Sequence, residues 1–180
     1  MKFLKPSRLL ARFRRDDEAS ISIEFVLTLP LLMLWFVGSF VFFDAFKTYS
    51  QSAKATYTIG DIMSRQITVD NAFIDNLYVL MDRMTPRSSS GKWMRISLIQ
   101  FQNNGYSVVW SRAQGGGTAL SDGTIPLSIM PEMADGDTVV LSETYVPFSP
   151  MVGWVGITAH TFITRLTNLP RFVGSIAKLD

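Results

Sequence analysis

The chain has 180 residues, no cysteine and a single histidine, His160. Without cysteine there are no disulfides, no thiolate nucleophile and no Cys-ligated metal. That absence does not assign a compartment, because many exported proteins do without disulfides. Positive charge is also scarce over most of the length. Lys2, Lys5, Arg8, Arg12, Arg14 and Arg15 hold six of the 17 basic residues, and Asp16, Asp17 and Glu18 hold three of the 15 acidic ones. The rest of the chain therefore carries 11 basic and 12 acidic residues, a net of −1 against +2 for the whole. A folded part with no basic surplus is not built to neutralise phosphates, so no nucleic acid is expected as a partner.

Motifs that carry chemistry are equally sparse. No G-x-S-x-G elbow accompanies His160, and no strand–turn–helix context offers a nucleophile. The alternation around His160 puts it opposite Ile157 and Ile163, as a solvent-facing or hydrogen-bonded strand histidine. Asp135-Gly136-Asp137 lacks the further ligands and terminal Glu of an EF-hand loop and reads as a turn. Gly115-Gly116-Gly117 lacks the Lys-Ser/Thr and following helix of a phosphate cradle and reads as a flexible connection. No catalytic residue, cofactor or metal site is expected.

What the sequence does have is one long apolar run. Phe25 to Phe43 is 19 residues without a charge. As a helix it covers about 28 Å, close to the roughly 30 Å hydrocarbon core of a bilayer. The run exceeds the apolar core of a cleaved signal peptide, and no small-x-small site follows it. Pro30 removes one backbone donor and is expected to bend the helix in its first half. Trp35 falls at mid-span. The basic head before the run keeps the N-terminus in the cytoplasm by the positive-inside rule and sends the chain beyond Phe43 across an inner membrane. Residues 1–19 form that leader. It reads either as a basic amphipathic turn on an anionic leaflet or as an unstructured tail that orients the span. Glu24 sits at the mouth of the run, and a carboxylate there is either solvated at headgroup level or functional.

The remainder predicts an α+β arrangement. Residues 20–43 are the transmembrane helix, and 44–66 extend it outward with Phe46, Tyr49, Ala53, Tyr57, Ile59 and Met63 near a helical spacing and Gly60 weakening its end. Residues 67–165 form the exported domain. Asp70 is the N-cap of a second helix whose apolar stripe is Phe73, Ile74, Leu77, Tyr78, Met81 and Met84, stopped by Thr85-Pro86 and packed on a small antiparallel sheet. After an Arg87–Gly91 loop, Lys92–Phe101 alternates as a strand. Asn104-Gly105 marks a hairpin, with Tyr106, Val108 and Trp110 on one side of the return strand. A helical turn is expected within Ile125–Met133, a third strand at Thr138–Val146 ended by Pro147-Phe-Ser-Pro150, and a fourth at Val155–Thr164. Residues 166–180 read as a tail without assigned structure.

The run Asp17-Glu-Ala-Ser-Ile-Ser-Ile-Glu-Phe-Val-Leu-Thr-Leu-Pro-Leu-Leu32, after a basic head, resembles the N-terminal segment of TadE/TadG-like proteins, minor pseudopilins of the tight-adherence (Flp-type) pilus system. Glu24-Phe25 and Pro30 match the family pattern, and Tyr145-Val-Pro-Phe-Ser-Pro150 followed by a Thr-rich strand agrees in layout. The resemblance implies cleavage by a prepilin peptidase between Ala19 and Ser20, with Ala19 standing where the family usually has Gly. Ser20 then becomes the first residue and Glu24 the fifth. It also implies that Glu24, Phe25 and Pro30 pack against other pilins, with no catalytic role. The physical logic agrees. An α-ammonium created at Ser20 can pair with a neighbour's Glu24 in a low-dielectric setting, where unpaired charge is costly. Two other readings stand beside it: a single-pass envelope binding protein without processing, and an exported hydrolase with His160 in a cleft beside a Ser and an acid.

Overall fold

The structure is a computed structural model that describes residues 17–86, 89–154 and 156–179. Most of the leader, Arg87 and Ser88 of the expected loop, Val155 of the expected fourth strand and Asp180 of the expected tail lie outside the described residues. The protein is α+β, with one long N-terminal apolar helix, a second helix and a small antiparallel sheet.

Helix α1 runs unbroken from Asp17 to Ser64, 48 residues with Pro30 inside it. That is about 72 Å at 1.5 Å per residue. Strand β1 (Thr68–Val69) leads to α2 (Asn71–Met84). The Asp70 side chain accepts from the Phe73 N–H at 2.7 Å, the N-cap its position predicts. The other end of α2 is closed by Lys92, which is buried and donates to the carbonyls of Asp82 and Pro86 while pairing with the Asp82 carboxylate at 2.5 Å. A cation there satisfies orphan carbonyls and the negative end of the helix dipole.

Strands β2 (Trp93–Gln102), β3 (Gly105–Gln114), β4 (Thr138–Phe148) and β5 (His160–Asn168) form one antiparallel sheet in the order β3-β2-β4-β5. A short β6 (Ala177–Lys178) pairs with β1 in parallel. Both helices lie on one face of the sheet. There Ala55, Ile59 and Met63 of α1 join Ile74, Leu77 and Met81 of α2, Met94, Ile96 and Leu98 of β2, and Ile176 in one core. On the opposite face Leu120 and Ile125 of the 115–137 excursion cover Ile99, Val139 and Leu141.

Several expectations change. The hairpin turn is Asn103-Asn104, both at positive φ, with Gly105 already paired to Gln102. Asparagine tolerates the left-handed region, so the turn sits one residue earlier than the Asn-Gly signal suggests. The β2–β3 register shifts between Leu98↔Trp110 and Ile99↔Val108, leaving Val109 as an extra residue. This bulge turns Trp110 to the helix face while Tyr106 and Val108 pack on the other, so the three do not share a side.

Two glycines of the triglycine connection, Gly115 and Gly117, are closely packed, while Gly116 between them is open. Gly115 has φ +86, and a Cβ on Gly117 would run into the Trp93 indole. Strand β4 continues through Pro147, which lies past the end of the β2 ladder at Trp93↔Tyr145, where a missing N–H costs nothing. The fourth strand starts at His160 and runs on to Asn168, four residues beyond the expected end, because its pairing with β4 continues to Val140↔Asn168. The segment 166–179 is built into the domain: Ile176 is fully buried, its carbonyl accepts from the Trp110 indole at 2.9 Å, and the Arg171 N–H caps the Ser64 carbonyl at 2.8 Å.

Candidate functional site

Helix α1 divides into two unlike halves. From Ile21 to Phe40 no side chain is buried, and nearly all are apolar. From Thr48 to Ser64 one stripe is buried: Thr48, Ser52, Ala55, Thr56, Ile59 and Met63. Several hydroxyls along the helix are satisfied within it, as when Thr48 donates to the Asp44 carbonyl and Ser39 to the Trp35 carbonyl, both at 2.9 Å.

The buried stripe differs from the aromatic one expected. Phe46, Tyr49 and Tyr57 are exposed, and small or hydroxyl-bearing residues meet the sheet instead. Thr56 lies 2.6 Å from Thr144 of β4, and Ser52 lies 3.3 Å from both Thr144 and Thr164 of β5. Bulky side chains would hold the helix too far away for these bonds. Gly60 serves the same approach, since a Cβ there would come within 2.7 Å of Leu166 and Asn168. Its role is close packing, at some loss of helix propensity.

The residues singled out from sequence all lie on the projecting half. Ala19 and Ser20 are in helical backbone. Glu24, Phe25 and Pro30 are exposed, and among the described residues none forms an ion pair or hydrogen bond with the Glu24 side chain. The three are thus on one apolar arm, clear of the folded domain.

His160 opens β5 on the helix face. Its Nδ1 is 3.0 Å from the Thr158 carbonyl and its ring packs edge-on against Phe162 at 4.3 Å. A cavity of about 320 Å³ beside it is lined by Ser89, Ser90 and Ser149 but by no carboxylate. A Ser–His–acid relay is therefore not assembled at His160 among the described residues.

The feature that sequence reading missed is on the other face of the sheet. Glu143, 1% exposed, receives Arg95 Nε on one carboxylate oxygen at 2.6 Å and Arg165 Nε on the other at 2.9 Å. Tyr145 donates its hydroxyl to the same carboxylate at 3.2 Å. Burial by itself would lower the Arg165 pKa, but the bonds to Glu143 and the neighbouring Tyr145 outweigh it and hold the guanidinium above its ordinary value. Arg95 also donates to the Thr118 carbonyl and lies over the Trp93 ring. Because each buried charge is met by an opposite one, the cluster acts as a clamp across β2, β4 and β5. A lone carboxylate within the apolar strand Val139–Val146 was the available signal. Its partners, 48 and 22 residues away, were not visible without the register.

No family model, curated protein or solved structure matches the chain.

Proposed function

We propose that this chain is a single-pass, TadE-like minor pseudopilin or pilus-assembly protein of a tight-adherence system. It works by helix packing and protein–protein contact rather than catalysis. The observation that supports this most is the division of α1: an apolar, unburied half carrying Glu24, continuous with a half locked into the domain. An 18-residue apolar window in the helix is long enough to cross a membrane. In this reading the N-terminus is cytoplasmic, the domain is exported, and the arm first anchors in the inner membrane and then packs beside the arms of other pilins. Pilus machinery and a prepilin peptidase are the partners. Cleavage between Ala19 and Ser20 removes the basic head and leaves an ammonium for a neighbouring Glu24.

The experiment has two readouts. Intact mass or N-terminal sequencing of the membrane-extracted protein should show a chain starting at Ser20, and a Met1 start would remove the processing step. Glu24→Ala should insert in the membrane normally but fail to enter the pilus assembly. Normal assembly by that variant would overturn the packing role. An unprocessed, fully active chain would favour the anchored binding-protein reading.

A further inference from the structure

The connection between β4 and β5 does not stay near the sheet. Met151 and Val152 line an apolar cavity of about 240 Å³ whose other walls are Phe36, Val37, Phe40, Val41 and Asp44 of α1. On another side of the helix, Ile157 shares a cavity with Trp35, Phe42 and Phe46. Residues 151–152 and 157 of the connection therefore flank α1 on two sides at the level where its apolar run ends. Val41 is the first residue of that run to be buried. From Ser149 to Ala159 the connection has no charged residue, and among its described residues Met151 (91%) and Trp154 (69%) are large apolar side chains left exposed. Two large apolar side chains are thus held in solvent on an uncharged tip beside the apolar half of α1.

We infer that this connection is a second membrane contact: its tip rests in the headgroup region of the leaflet on the exported side, with Met151 and Trp154 in lipid. The inference rests on the reading of α1 as a membrane anchor. The occupant is lipid because the tip shares the depth of Phe36–Asp44, and a bilayer crossed by that helix must reach it. Non-helical backbone is not tolerated facing the hydrocarbon, so the tip marks the interface rather than the core. The hydrocarbon then ends near Phe40, and counting back about 20 residues puts its other edge near Ile21.

This depth changes the setting of several residues. Trp35 moves from mid-span to within about 8 Å of the interface. Phe42, Phe43 and Phe46, all exposed, join Trp154 in an aromatic belt at that level. Glu24 lies inside the hydrocarbon edge instead of outside it, where the need for a partner is greater. With two contacts, the domain is held at a set tilt on the membrane instead of swinging on a stalk.

The natural absence of cysteine allows a direct test. Single variants Met151→Cys, Trp154→Cys, Leu31→Cys and Gln102→Cys of the full chain carry an environment-sensitive NBD label. They are reconstituted in phosphatidylethanolamine/phosphatidylglycerol vesicles, dilute enough to keep copies apart. All four positions are exposed, so the substitutions leave the core intact. Labels at 151 and 154 should be blue-shifted and quenched by shallow doxyl lipids, that at 31 by deep doxyl lipids, and that at 102, at the far end of the sheet, by neither. Water-like emission at 151 and 154 with a lipid-buried label at 31 would overturn the inference and leave the anchor standing. Water-like emission at 31 would overturn both. A shift at 151 and 154 that develops only at high protein density would assign the tip to a second copy of the chain and also overturn the inference.

Discussion

The Thr56 hydroxyl of α1 lies 2.6 Å from the Thr144 hydroxyl of β4, both fully enclosed between helix and sheet. With Ser52 and Thr164 they make a polar seam inside an otherwise apolar contact. Such a seam fixes where the helix sits, since a slide along its axis would leave buried hydroxyls unbonded. Removing one partner should cost about 1–3 kcal/mol, whereas replacing both by isosteric apolar groups should cost much less than the sum. Thr56→Val, Thr144→Val and the double variant, compared by chemical unfolding in detergent micelles, give the coupling directly. Additive losses would deny the pairing.

The Arg95–Glu143–Arg165 clamp predicts a larger effect. Glu143→Ala leaves two guanidiniums facing each other across a covered site. Breaking a buried pair typically costs 3–5 kcal/mol, and because Arg165 keeps contact with solvent about 3 kcal/mol is expected here. Glu143→Gln should recover part of it by accepting hydrogen bonds without the charge. Thermal unfolding distinguishes the two, and a wild-type midpoint for Glu143→Ala would refute the clamp.

At Gly117 the backbone lies against the Trp93 indole, which is itself stacked on Tyr145 with centroids 3.6 Å apart and planes 6° apart. A methyl group at Gly117 has to displace a ring already packed, so Gly117→Ala should destabilise by about 1–3 kcal/mol. Gly116→Ala meets no neighbouring atom but sits at φ +98, so its cost should be one of backbone strain alone. A change in near-ultraviolet circular dichroism from Trp93 in the first variant and not in the second is the expected signature.

Asp75 on α2 is expected to contribute acid sensitivity. Its pKa is lowered, first by the hydrogen bond from Arg112, with burial opposing and the Arg112 charge and the Gln114 hydrogen bond adding to the decrease. A depressed folded pKa means that stabilisation is fully present above the unfolded value of about 4 and is lost as pH falls through the lower folded value. Asp75→Asn should therefore be less stable than the parent at neutral pH, with the difference shrinking as acid is added below about pH 4. A pH-independent difference would show that Asp75 acts through shape and not charge.

The apolar first half of α1 and the whole of α2 are legible in the amino-acid sequence, because their signals are local. An uncharged run of membrane length, an Asp70 cap, an apolar stripe from Phe73 to Met84 and a Thr85-Pro86 stop each act within a few residues of the chain. The α+β class follows from the same local patterns. The resemblance that motivates roles for Ala19, Ser20, Glu24, Phe25 and Pro30 is likewise confined to one short segment.

Tertiary structure decided what depends on distant partners. Which face of α1 is buried was settled by the sheet, whose Thr144 and Thr164 admit Ser52 and Thr56 at hydroxyl distance and leave Phe46 and Tyr57 outside. The side taken by Trp110 was settled by one extra residue, Val109, in pairing with β2. The role of Glu143 was settled by bringing Arg95 and Arg165 to it from other strands. The run from Phe25 to Phe43 specified an apolar helix by composition alone, since such a helix satisfies its own backbone without help. Register, facing and charge pairing compare alternatives of similar local cost, and only the contacts of the closed fold separate them.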